Sequence, residues 1–101
     1  MWNAYLVDDD DDVIASTDAA AETHTDKKEI YFRSGELTME IVLHELFHAF
    51  VGYTYTEDAQ LTQGQMEEVC CTLFSYRWKT IVETGKLVYA EMIKIRNAAG
   101  R

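Results

Sequence analysis

The sequence predicts an α+β fold: a single domain over residues 1–101 in which a small antiparallel sheet of about three strands packs on three helices. Three observations predict it. Glu29-Ile30-Tyr31-Phe32-Arg33 is rich in β-branched and aromatic residues, the composition of a strand. From Glu36 to Val51 no Pro or Gly interrupts a run whose apolar residues (Met39, Val42, Leu43, Leu46, Phe47, Phe50, Val51) recur at helical spacing. From Gln65 a second such run carries Met66, Val69, Cys70, Leu73, Phe74, Trp78, Ile81 and Val82.

Taken in order, Asn3 to Asp8 reads as a short strand with Tyr5, Leu6 and Val7 as its apolar part. Asp8 to Asp12, five consecutive aspartates, lacks the spaced ligands, central Gly and terminal Glu of a calcium-binding EF-hand loop. It reads as a solvated acidic turn leading to a second strand at Val13 to Thr17. Asp18 to Lys28 reads as a loop, with His24 as a loop histidine. Ser34-Gly35 ends the best strand, and Ser34 or Thr38 can cap the helix that follows. Gly52 is a natural stop for that helix, and Tyr53 to Gly64 reads as a loop. Gly85 is expected to end or kink the second long helix. Leu87 to Ile95 supports a further helix, and the last residues should fray.

The totals exclude several classes. One hundred and one residues with 48% hydrophobic content suit one modest core. A formal charge of −9 argues against nucleic acid and anionic membrane surfaces as partners. No run approaches transmembrane length, and Met1-Trp2-Asn3-Ala4-Tyr5 has no basic start or apolar core of a secretion signal. The expected location is cytoplasmic. Cys70 and Cys71 are neighbours, and helical neighbours point about 100° apart, so they are poor disulfide partners. As free thiols they fit a reducing compartment, and their expected role is as small core residues.

The chemistry is concentrated in His44-Glu45-Leu46-Phe47-His48, an H-E-x-x-H pattern. Residues four apart on a helix stand one above the other, so two imidazoles can hold one ion. Zinc accepts two such nitrogens, a third protein ligand and a water. Glu45 is then placed to act on that water as a general base. With three fixed positions the pattern also occurs by chance on core-edge helices. Here two of the three histidines of the chain fall in it, on a segment that is helical by its periodicity.

A third ligand must come from elsewhere. Val51 and Thr54 stand where a metzincin would have its Gly and third His. Glu67 and Glu68, at the start of the second helical run, are the candidates. Strand, turn, histidine helix and glutamate-led helix in this order, over roughly Glu29 to Ser75, resemble the small gluzincin metallopeptidases. Among these the likeness is to the ImmA/IrrE-type regulatory peptidases and their compact relatives in bacteriophages. The resemblance implies His44 and His48 as ligands and Glu45 as general base. It implies Glu68 as third ligand, because Cys71, Thr72, Phe74 and Ser75 follow it as small, polar, apolar and small residues. Thermolysin-like gluzincins share the nineteen-residue gap that separates His48 from Glu68. A helical wheel favours Glu67 instead, nearer the centre of the apolar side.

Two features depart from the resemblance. Thr72 stands where thermolysin-like enzymes have an aspartate that orients a histidine, so that acceptor must come from elsewhere, Asp58 or a backbone carbonyl. No transition-state donor is marked; Tyr53, Tyr55, Tyr76 and His24 are the conceivable ones. The resulting expectation is a zinc metallopeptidase with one Zn²⁺ per chain, acting on a protein or peptide substrate. An extended segment would bind along an edge strand, expected at Glu29 to Arg33. The alternative is a non-catalytic zinc-binding regulatory or interaction domain of the same fold.

Overall fold

The computed structural model describes residues 2–54 and 62–100, with side chains described for these except 52–54. The α+β class is as expected. Strands β1 (Asn3–Val7), β2 (Ala21–His24) and β3 (Glu29–Arg33) form one sheet, and helices α1 (Met39–Thr54), α2 (Gln63–Thr72) and α3 (Trp78–Ala98) follow. No helix among the described residues is long and apolar enough to cross a membrane.

The sheet is mixed, not antiparallel throughout. Its order is β1-β3-β2, with β1 parallel and β2 antiparallel to β3. Burial explains this order: a central strand loses water on both edges, and Ile30 and Phe32 make β3 the strand with most to gain from that place. Residues 8–20 therefore do not form a hairpin turn. They cross past the end of β3 to reach β2, and the strand expected at Val13 to Thr17 is turn and bend instead. The second strand is Ala21–His24, a segment with little β-propensity of its own that is held by pairing with β3.

Arg33 holds the crossing together. Its guanidinium is buried, and each of its five N–H donors meets a main-chain carbonyl of the crossing segment. Nε donates to Ala19 (2.8 Å), Nη1 to Asp9 (2.5 Å) and Asp11 (3.1 Å), and Nη2 to Ile14 (3.3 Å) and Ser16 (3.2 Å). The aspartate run is shaped further by Asp9, whose carboxylate accepts from Gly35 N–H at 2.6 Å. A Cβ at residue 35 would meet that carboxylate, so a larger residue there would have to displace the Asp9 side chain from this bond.

Side chains alternate across the sheet as its pleat demands. Ala4, Leu6, Ala21, Ile30 and Phe32 face the helices, where they join Leu37, Val42, Leu46, Ala49, Ile81 and Met92 in the core. The opposite face carries Tyr5 stacked on Tyr31 (ring centroids 5.3 Å apart) and His24 tilted against Tyr31 (5.1 Å). His24 thus lies on a strand, with Nε2 2.6 Å from Glu22 Oε1, and not in a loop.

Thr38 caps α1, its Oγ1 accepting from Ile41 N–H at 3.2 Å. The helix runs past Gly52 to Thr54. The core of the loop expected at Tyr53 to Gly64, with Asp58, lies outside the described residues. Helix α2 starts two residues earlier than its apolar pattern, because Thr62 and Gln65 form a reciprocal capping box. It continues into α3 through five π-helical residues, Leu73–Arg77. The irregularity falls there and not at Gly85, which is buried inside α3. Both cysteines are exposed on α2 and free, so they are not core residues.

Candidate metal centre

His44, Glu45 and His48 lie on α1, which packs against α3 on one side and β2 on the other. The amphipathic run that makes the helix also decides their environments. Leu46 and Ala49 point into the core, while His44 and His48 sit at the solvent edge of the apolar stripe. The His44 side chain is 70% exposed; that of Glu45, one residue on, is 9% exposed.

The two imidazoles converge. Their Nε2 atoms are 3.2 Å apart and the ring centroids 4.9 Å apart, with the planes at 74°. Two nitrogens at about 2.0–2.1 Å from a tetrahedral zinc lie roughly 3.3 Å apart, so this spacing suits one shared ion. Glu45 Oε2 is 3.8 Å from His44 Nε2. Ligand atoms of the three residues all lie within 4.8 Å of one another, and the group can hold a metal ion. Donor chemistry agrees, since neutral imidazole and carboxylate oxygen suit a borderline divalent cation.

Glu45 is held from the sheet. Thr23 Oγ1, on the helix-facing side of β2, lies 2.8 Å from Glu45 Oε1 and 3.2 Å from the Glu45 carbonyl oxygen. Beside it runs a groove of about 420 Å³ between Ala19, Ala20 and Ala21 on one wall and Glu40, Ile41, His44 and Glu45 on the other. The three alanines keep that wall low, which leaves room over the histidine-bearing face of α1.

Glu68 does not join this group, and neither does Glu67; both are exposed on α2. Helix α2 runs on into α3, and the elements packed most closely against α1 are α3 and β2. Among the conceivable oxyanion donors, His24 is on the outer face of the sheet with Glu22, and Tyr76 is 80% exposed. Tyr55 lies outside the described residues, as does the side chain of Tyr53. Thr23 is the site residue that sequence reasoning missed. Its signal, alternation with Ala21 on an inward face, exists only once β2 is known to be a strand.

Comparison of the chain with known protein families, characterised proteins and solved structures finds no match.

Proposed function

We propose that the protein is a zinc-dependent metallopeptidase of gluzincin type. The observation that carries this reading is the pair of imidazole nitrogens 3.2 Å apart with the buried Glu45 carboxylate turned toward them. His44 and His48 would hold the ion; Glu68, the third ligand implied by the resemblance, would have to approach them from its exposed place on α2. When bound, zinc supplies Lewis acidity at the site. Glu45 does the proton work, taking a proton from the attacking water and delivering it to the leaving amine.

The expected edge for an extended substrate changes with the fold. Glu29 to Arg33 is the central strand, and no described strand pairs with the outer edge of β2. A peptide segment adding to β2 would lie along the groove beside His44 and Glu45. The substrate proposed is a protein of the same cell. Two exposed free thiols fit a reducing, cytoplasmic setting.

One observation favours a second reading, a non-catalytic zinc-binding domain: no third protein ligand converges on the group among the described residues. Metal content per chain separates the readings when measured beside hydrolysis of a peptide library. One zinc in wild type, lost in His48→Ala and Glu68→Ala, with cleavage abolished by Glu45→Gln, supports the enzyme. Zinc retained in Glu68→Ala and lost in Glu67→Ala moves the third ligand to Glu67. Zinc without any cleavage supports the binding domain, and a folded wild type that takes up no zinc overturns both.

A further inference from the structure

We propose that Thr23 is a positioning residue for Glu45, fixing one carboxylate oxygen so that the other faces the histidine pair; this rests on the metallopeptidase reading above. A glutamate side chain has three rotatable bonds, and a base that must meet a water at one place gains from having them locked. The geometry does this with a single hydroxyl. Oγ1 has one proton and two neighbours, Glu45 Oε1 at 2.8 Å and the Glu45 carbonyl oxygen at 3.2 Å. The proton goes to the nearer acceptor, the carboxylate oxygen.

The division of labour within the carboxylate follows. Oε1 is tied to the sheet, and Oε2 is left 3.8 Å from His44 Nε2, on the metal side. Among the described residues no other hydrogen-bond donor reaches the Glu45 carboxylate. Burial makes that single bond count, since water cannot replace it without entering between β2 and α1. The register of β2 delivers the hydroxyl. Thr23 pairs with Ile30 and shares its helix-facing side, while Glu22 and His24 point the other way.

The test uses zinc-loaded protein and acetohydroxamate, which chelates zinc through two oxygens and gives its proton to a neighbouring carboxylate. Zinc stoichiometry and hydroxamate affinity are measured for wild type, Thr23→Val, Thr23→Ser and Glu45→Gln. Thr23→Val keeps the side-chain shape and should bind one zinc but weaken hydroxamate about tenfold, the worth of one charge-assisted hydrogen bond. Thr23→Ser should restore affinity to within about twofold, since it restores the hydroxyl.

If the hydroxyl merely tied strand to helix, its loss in Thr23→Val would lower the thermal midpoint and leave the affinity alone. Thr23→Val equal to wild type, with Glu45→Gln weakened, therefore overturns the positioning role and leaves the peptidase reading standing. Absence of zinc in wild type, or hydroxamate binding unaffected by Glu45→Gln, overturns that reading and this inference with it. Should Thr23→Val fail to fold, Thr23→Ala against Thr23→Ser gives the same comparison.

Discussion

Gly85 of α3 lies directly against Leu43 of α1: a Cβ built on the glycine would come within 2.5 Å of Leu43 Cδ2 and 3.5 Å of Leu46 Cδ1. This glycine is a contact residue and not a breaker. Its missing side chain lets α3 approach α1 beside His44, which follows Leu43 in the chain.

Substitution at this contact should therefore depend on size. Gly85→Ala gains about 1 kcal/mol of helix propensity and displaces only the flexible end of Leu43, so its net effect on stability should stay within about 1 kcal/mol. Gly85→Leu has no room and should destabilise by about 1–3 kcal/mol as α3 is pushed from α1. Urea unfolding of the two variants checks the order. Equal stability of both would show that the helices do not meet as closely as described.

Arg33 should be among the most sensitive positions in the chain. Replacing it with Met removes five hydrogen bonds and leaves the carbonyls of residues 9, 11, 14, 16 and 19 to find water. A loss of about 3 kcal/mol or more is expected, because bonds to a charged donor are worth more than neutral ones. Limited proteolysis should then cut within residues 8–20 before anywhere else in the described chain. A variant as stable and as protease-resistant as wild type would show that the crossing segment does not depend on Arg33.

Zinc should stabilise the folded chain through His44 and His48. At a free concentration one hundred times its Kd, an ion that binds only the native state adds about 2.7 kcal/mol. Thermal unfolding with zinc and then with excess chelator measures the difference. It should be large in wild type, retained in Glu45→Gln and absent in His48→Ala. An equal zinc effect in His48→Ala would place the ion elsewhere.

Tyr31 should ionise above the ordinary tyrosine range. Its hydroxyl donates to Glu29 Oε2 at 2.9 Å, and this bond is the main cause, followed by desolvation and by the negative charge of Glu29. The folded chain then keeps a proton that the unfolded chain releases near pH 10. Its contribution to stability is present below that value and is lost as the pH rises through the raised one. Absorbance at 295 nm, with Tyr31→Phe to assign the transition, should show Glu29→Gln bringing the ionisation back toward the ordinary range. No difference between Glu29→Gln and wild type would mean the hydrogen bond does not form.

Legibility followed the range of the interactions. Helix α1 and strand β3 could be read because their signals are contained in their own residues: periodicity in one, β-branched and aromatic composition in the other. The convergence of His44 and His48 follows from the same local geometry. Ala21 to His24 could not be read as a strand, because Ala, Glu, Thr and His there gain their extended conformation from β3. Gly85 was misread for a related reason. Alone, a glycine in a helix weakens it; against Leu43 it is the residue that fits.

By itself the sequence determined the α+β class, the helix that carries His44, Glu45 and His48, and the alignment of the two imidazoles. These rest on backbone geometry over a few residues. Only the tertiary structure decided that β3 is central, that β2 is the edge beside the site, that Arg33 gathers the crossing segment and that Thr23 meets Glu45. Each of these joins residues more than a dozen positions apart or sets strands side by side. No local pattern encodes such a pairing, because it is settled by which surfaces lose most water when the whole chain packs.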